Sequence, residues 1–342
     1  YKIILTTLLI TCNTIFAQFE INENKYNIYA INLPTQISFA DEPTPLQHSD
    51  IKERLDKELL INTYWQSKTI LLIKRAQKHF PIIEKILARH NIPDDFKYLA
   101  VAESGLENST SPSGAKGFWQ FLKKTGLEYG LEINSELDER YHLEKSTQAA
   151  CQYLQEAYDK FGSWTLAAAA YNMGKSGLSK AIETQKINDY YQLMLNNETY
   201  RYVFRILAIK EILSKHEEYG FILKKDDYYD YPEFYNLKID TAISNIANFA
   251  INLGVNYKQV KQLNPWILGN TISQKNTYII KVPTSQPLTI ANTDTIIHIC
   301  KSRENVFEIA RKYNIDVEKI LLWNDIIPSK KLKKNQEIII LK

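Results

Sequence analysis

Three short stretches hold residue types that could break a glycosidic bond: Ala102-Glu103-Ser104-Gly105-Leu106, Gly117-Phe118-Trp119-Gln120, and Ala170-Tyr171-Asn172 with Gly174. Together they supply one acid, one glutamine and one asparagine, each beside aromatic residues and glycines. The chemistry hangs on Glu103. It closes a run, 96–102, of helical composition that opens with Pro93-Asp94-Asp95, residues favoured in a first helical turn. The carboxyl is therefore expected near a helix C-terminus, with Leu99 one turn behind it and Gly105 ending the helix. An apolar wall and the negative helix end both disfavour the ionised form. Such a glutamate can stay protonated near neutral pH and act as a general acid.

The elements that must position these residues read as helices. Ser113-Gly114-Ala115-Lys116-Gly117 fits neither helix nor strand, so it is expected as a loop at a cleft edge, delivering Gln120 from a helix over 119–125. From Ser49 onward Asp50 with Glu53 fits a capping box, and Ile51, Leu55 and Leu59 share one helix face. Further helices are expected over 71–80 and 82–90 around Pro81, and over 144–161, 165–171 and 198–215. The small residues of 146–150 and 167–170 allow close helix packing. Asp138, Glu139 and Glu144 are expected to form surface pairs with Arg140 or Lys145.

The Glu-Ser pair, Gly-x-x-Gln and Ala-Tyr-Asn occur in an order and spacing that resemble the catalytic domain of the soluble lytic transglycosylase family. Glu198-Thr199-Tyr200-Arg201-Tyr202-Val203 resembles the segment that carries that family's groove tyrosine. The resemblance implies a lysozyme-like fold and cleavage of the β-1,4 bond between N-acetylmuramic acid and N-acetylglucosamine in peptidoglycan, without water. It implies that Glu103 is the catalytic residue, first acid and then base, as the C6 hydroxyl of the muramoyl sugar attacks C1 to leave a 1,6-anhydro end. That intramolecular hydroxyl explains the single acid in the motifs. By the same resemblance Ser104 and Gln120 hold sugar or orient Glu103, Asn172 bonds the N-acetyl group, and Tyr202 lines the groove. Phe118, Trp119 and Tyr171 offer flat faces for pyranose rings, although the same spacings fit plain core. Two other readings stay open: a hydrolytic muramidase using Asp138, Glu139 or Glu144 as base, and a non-catalytic peptidoglycan-binding scaffold.

Beyond a charged, tyrosine-rich stretch at 224–231 lies an internal repeat. Val255, Val260, Leu263 and Asn264 match Ile315, Ile320, Trp323 and Asn324 at a constant offset of 60 residues, and Tyr278-Ile279-Ile280 matches Ile338-Ile339-Ile340. In the second copy, strand is expected over 296–300 and 337–341 and helix over 306–313 and 317–324, with Asn305 and Glu308 as a capping box. This βααβ order resembles a LysM module, which binds glycans containing N-acetylglucosamine. The resemblance implies a glycan groove between Ser302, Arg303, Glu304 and Asn305 on one side and Asn324, Ile327 and Pro328 on the other. Arg303-Glu304-Asn305 stands where the family has Gly-Asp-Thr. The first copy, with extra residues between Ala247 and Gly254 and with Asn264-Pro265-Trp266, reads as a degenerate, structural copy.

At 342 residues the chain can hold two or three domains, and a net charge of +3 is too small to argue for nucleic acid. The expected organisation is an export signal over 1–17, a flexible tether over 18–48 containing Pro34, Pro43 and Pro45, a helical catalytic domain over 49–219, a linker over 220–235, and modules over 236–284 and 285–342. The fold class is thus α+β multidomain: a mainly α-helical lysozyme-like domain followed by small βααβ LysM-like modules. The apolar run 3–16 is too short to span a bilayer and ends at Phe16-Ala17-Gln18, a signal-peptidase type of site. Cys12 offers a lipid anchor as the alternative, against which stands Thr11 before it. The expected location is the periplasm or cell envelope, with outer-membrane association only through such an anchor. Peptidoglycan strands are the expected partner, and no motif identifies a protein partner. Cys151 and Cys300 fall in different domains, with no Cys-x-x-Cys and no histidine at metal spacing. They read as buried thiols, and no metal or organic cofactor is implied.

Overall fold

A computed structural model describes residues 28–273, 276–284, 295–302, 304–324 and 332–341. The export signal, Cys12 and the first part of the expected tether lie outside these residues. The chain divides into Tyr1–Asn32 and Leu33–Lys342. The first of these contributes only 28–32, without regular structure, and every described helix and strand belongs to the second.

Two short strands, β1 (Ser38–Phe39) and β2 (Glu42–Pro43), precede a helical domain made of α1 (Ser49–Tyr64), α2 (Gln66–Arg89), α3 (Phe96–Ser104), α4 (Lys123–Glu128), α5 (Leu143–Phe161), α6 (Trp164–Met173), α7 (Lys175–Gln185) and α8 (Asn197–Ser214). The apolar stripes find their partners as the periodicity requires. Leu55 and Leu59 of α1, Leu99 of α3, Leu154 of α5, and Phe204 and Leu207 of α8 are fully buried. The alanines of 167–170 are also buried, and their small side chains let α6 pack against both α5 and α8.

Several expectations need correction. The capping box at Asp50 is absent: His48 is the N-cap, helix α1 starts at Ser49, and no side chain caps it. The helix after Gly117 starts at Lys123, because residues 117–122 turn tightly and place Gln120 at a φ of +50°. From residue 33 onward the expected tether is not a tether. Phe39 is fully buried and edge-on to Phe96, Ala40 N–H donates to Asp95 at 2.7 Å, and the Glu42 carboxylate accepts from the Trp164 and Thr165 amides at 2.6 and 2.8 Å. Prolines without periodicity mark a chain that is irregular, and here an irregular chain supplies the cap for α6.

The C-terminal part has the two βααβ units read from the repeat. In the first, β3 (Phe234–Ile239) pairs antiparallel with β4 (Tyr278–Pro283) around α9 (Ile246–Asn252) and α10 (Tyr257–Leu263). In the second, β5 (Thr295–Ile299) pairs antiparallel with β6 (Glu337–Leu341) around α11 (Val306–Tyr313) and α12 (Val317–Trp323). The capping box at Asn305 and Glu308 is present. The repeat's asparagine proves to be a bolt. Asn264 Nδ2 donates to the Val260 and Lys281 carbonyls at 2.8 and 2.7 Å, and Asn324 Nδ2 does the same to Ile320 and Ile339 at 2.9 and 2.8 Å, tying each second helix to the closing strand.

The first βααβ unit is built onto the helical domain. Leu137 is buried in its core cluster, Asp138 N–H donates to Trp266 O at 2.8 Å, and Leu268 N–H donates to Glu136 O at 2.7 Å. The Glu136 carboxylate accepts from Thr271 Oγ1 at 2.6 Å and from Ser273 N–H at 2.8 Å. At the offset of 60, Trp266 to Gly269 correspond to residues 326–329, on the 324–328 side of the groove expected in the second unit, so in the first unit that side is occupied by the chain's own helical domain.

The buried 33–48 segment yields a stability prediction. Phe39→Ala should cost about 3–5 kcal/mol in urea unfolding monitored by circular dichroism; a free tether would show no change.

Candidate active site

Helix α3 ends where the sequence indicated. Gly105 adopts the left-handed conformation with φ +61°, and its N–H donates to Val101 O at 2.8 Å. Glu103 therefore sits in the last turn, half-buried on the wall of a cleft of about 500 Å³, which Gln120, Tyr153, Tyr171 and Asn172 also line. Helix α8 brings Tyr202 to it, and the buried Tyr202 hydroxyl donates to Glu103 Oε1. Burial pushes the Glu103 carboxyl up, against the Tyr202 hydrogen bond and the Arg205 charge that pull it down, to about 7. The carboxyl is thereby poised between its acid and base forms at neutral pH.

Helix α6 delivers Tyr171 and Asn172 from its final turn. The Tyr171 hydroxyl donates to Trp119 O at 2.7 Å, which fixes the ring. Asn172 Oδ1 accepts from Thr199 Oγ1 at 2.7 Å, so the amide is oriented from α8 and its N–H donors have no partner among the described residues. Gln120 lines the cleft, but its Nε2 is engaged in its own loop, donating to Gly117 O at 2.7 Å and Ser109 O at 3.3 Å.

That loop is held from behind. Arg140 Nη1 donates to Gly114 O at 3.1 Å and Phe121 O at 3.2 Å, while Nε and Nη2 fork onto Asp138 at 2.9 and 2.7 Å. Gly117 has φ +79°, and a Cβ there would lie 1.9 Å from Arg140 O, so only glycine fits. Asp138, Glu139 and Arg140 are therefore buried, which corrects the expected surface pairing. The partners Arg140 and Lys145 are right for Asp138 and Glu139, but Glu144 pairs instead with Lys281 at 2.5 Å. None of these three acids lines the cleft.

Ser104, Phe118 and Trp119 are not among the residues that line the cleft. Ser104 Oγ is spent on Ala100 O, Phe118 O and Leu106 N–H, at 3.1, 2.8 and 3.1 Å, so it shapes the loop. Trp119 is fully buried, with its indole N–H on Thr147 Oγ1 at 2.8 Å, and Phe118 packs edge-on to His79 away from the cleft. Sequence reasoning missed Ser111, Phe121 and Tyr153 on the cleft wall, for which no motif gave a signal. In the second module Glu304 accepts from Lys301 N–H at 2.8 Å and contacts His298 at 2.9 Å, and Asn305 and Asn324 are held in the cap and the bolt. Ser302 is exposed, while Arg303, Ile327 and Pro328 lie outside the described residues. Cys151 and Cys300 are free and buried. Sequence spacing gave no metal-ligand pattern around the cysteines, but in space His298, Cys300 and Glu304 bring donor atoms within 4.8 Å of one another. Their ties are nonetheless those of a protein core, since His298 bonds Tyr313 and Glu304, and burial pushes the Cys300 thiol up so that it keeps its proton.

Three family models match the chain. Residues 80–194 match the transglycosylase SLT domain, 235–286 the soluble lytic transglycosylase C-terminal LysM-like domain, and 298–341 the LysM domain. The chain carries an SLT-family lytic transglycosylase domain with C-terminal LysM modules. Over 320 residues it is 27% identical to membrane-bound lytic murein transglycosylase D of Escherichia coli strain K12, covering 86% of this chain and 69% of that protein; the same values hold for the counterpart in E. coli O6:H1 strain CFT073. Among the described residues no helix is long and apolar enough to cross a membrane.

The raised Glu103 carboxyl has a sign that can be checked. Folding favours its protonated form, so this group costs stability as pH rises from its ordinary 4.5 through about 7. Glu103→Gln, whose amide oxygen can still accept from Tyr202, should melt higher than the parent above pH 7, and the difference should vanish below pH 4.5. Thermal melts at pH 4 and pH 8 read this directly.

Proposed function

We propose that the protein is a peptidoglycan lytic transglycosylase that cleaves the β-1,4 bond between N-acetylmuramic acid and N-acetylglucosamine without water, in the cell envelope. The observation that carries this reading is the single carboxyl in the cleft: among the residues lining it Glu103 is the only acid, with a raised proton affinity and Tyr202 at its side. Glycoside hydrolysis ordinarily uses a second carboxylate as base or nucleophile, and Asp138, Glu139 and Glu144 are committed elsewhere. An internal nucleophile needs only one group that gives a proton and takes one back.

In the first step Glu103 donates its proton to the glycosidic oxygen as the bond to C1 breaks. The resulting carboxylate, held by the Tyr202 hydroxyl, faces the oxocarbenium-like sugar. The free N–H donors of Asn172 suit the N-acetyl carbonyl at C2, and the Tyr171 ring provides a flat wall. In the second step the carboxylate takes the proton of the C6 hydroxyl as that oxygen bonds C1, closing the 1,6-anhydro ring and restoring the acid. Every proton is returned and no water is consumed. The second LysM module keeps the enzyme on its polymer, which raises the local concentration of glycan at the cleft. The first serves as a structural part of the catalytic unit.

The test is mass spectrometry of fragments released from purified peptidoglycan. Muropeptides lighter by one water than hydrolytic fragments should appear, their release should fall above pH 7 as Glu103 loses its proton, and Glu103→Gln should reduce it by about a thousandfold or more. Reducing-end products would identify a hydrolase, and glycan binding without release would identify a scaffold.

A further inference from the structure

Thr199 precedes Tyr202 by less than one turn of α8, is fully buried and does not line the cleft. Its backbone is pinned on both sides. The N–H donates to Asn196 Oδ1, the cap of α8, at 2.9 Å, and the carbonyl accepts from the buried Tyr190 hydroxyl at 2.9 Å. A β-branched side chain on a fixed helical backbone has few rotamers, so the hydroxyl is carried on a stiff arm to Asn172 at the end of α6.

That hydroxyl has one hydrogen and two acceptors within reach, Asn172 Oδ1 at 2.7 Å and Asn196 Oδ1 at 3.2 Å. The first distance is that of an ordinary O–H···O bond, about 2.7–2.8 Å, and the second exceeds the usual limit of about 3.0 Å. Asn196 Oδ1 is moreover already served by the Thr199 N–H. The hydrogen therefore goes to Asn172. An asparagine amide has two ends of nearly the same shape and opposite hydrogen-bonding sense, so tying Oδ1 to α8 leaves Nδ2, and donors only, for the cleft that Asn172 lines. Among the described residues no lysine or arginine lines that cleft, and Glu103 is its only acid. A carbonyl on the sugar meets the Asn172 donors; a protonated amine sets donor against donor and forfeits its hydrogen bonds to water.

We propose that Thr199 determines the specificity of the cleft at C2 of the sugar: by claiming the only acceptor of the Asn172 side chain, it admits an N-acetylated muramoyl residue and rejects one whose C2 nitrogen is a free amine. Thr199 is a positioning residue, acting through Asn172 alone. The inference rests on the transglycosylase reading of the cleft and adds to it a consequence, that glycan strands stripped of acetyl groups resist cleavage.

Soluble peptidoglycan strands, partly de-N-acetylated at muramic acid, test it in a single reaction with the full chain. Each cleavage leaves an anhydro end whose mass shows whether that sugar kept its acetyl group, so the ratio of the two ends, corrected for strand composition, is the selectivity. The parent should yield mostly acetylated ends. Thr199→Val, which keeps the shape and loses the hydroxyl, should lower the ratio about tenfold, the worth of one hydrogen bond, and Thr199→Ser should restore it. A merely structural defect would slow both cleavages together and leave the ratio where it was. Asn172→Ala should lower the ratio by itself, and adding Thr199→Val to it should lower it no further. Thr199→Ala reads the same ratio if Thr199→Val folds poorly. A parent that cuts both sugars equally, a Thr199 variant without the hydroxyl that is as selective as the parent, or a further loss in the double variant would overturn this inference and leave the transglycosylase reading intact. Strands from which the parent releases no anhydro ends would overturn both.

Discussion

The hydroxyl of Tyr202 donates to the carboxyl of Glu103 across 99 residues of chain, and most of the helical domain is arranged so that these two groups meet. The contact needs α8 to lie along α3 with little freedom, and several polar ties hold it there. Arg201 pairs with the buried Glu58 at 2.6 Å, Arg54 donates to Tyr200 O at 2.6 Å, and Lys210 reaches Asp95 at the start of α3 at 2.6 Å. Within that frame two opposing effects act on one carboxyl. The hydrogen bond favours the charged form and burial favours the neutral one; burial wins, and the group titrates near neutrality. A group tuned this way can donate and recover a proton in one catalytic cycle.

The cleft's other wall depends on a buried ion pair. Arg140 is almost wholly removed from water, and the Asp138 fork together with the Gly114 and Phe121 carbonyls accounts for four of its five N–H donors. Pairs of this kind add little net stability, because desolvation offsets the attraction, but they define geometry. Here the geometry is that of the loop bearing Gln120. The same short segment continues through Leu137 and Glu136 into the first module, so that module, the ion pair and the cleft wall form one connected support. One fold, used twice in the chain, thus does different work. The Asn264 and Asn324 bolts are equivalent, yet the loops beside the first are committed to the helical domain.

Much of this was legible in the residues themselves. The Gly105 stop, the helices around 144–161 and 198–215, the Asn305 cap and the βααβ order with its 60-residue offset follow from periodicity, caps and turn residues. Those are interactions between neighbours a few positions apart, and they operate in any context. Glu103 stood out because it closes a helix beside a glycine, and its meeting with Tyr202 followed only from resemblance. What could not be read was which aromatic faces open space. Trp119 and Tyr171 have similar local surroundings; one is sealed against α5 and the other opens on the cleft, because distant helices cover the first and leave the second.

The sequence by itself therefore determined the helices, the modules, the acid and its place at a helix end, since local sterics and hydrophobic spacing suffice for these. Tertiary structure decided that the proline-rich 33–48 segment caps α6 rather than hanging free, that Asp138 is buried with Arg140, that Ser104 serves the loop, and that Glu144 pairs with Lys281. Each of these depends on which groups from far along the chain come within hydrogen-bonding distance and exclude water. Desolvation is a property of the assembled surroundings, and no residue carries it alone.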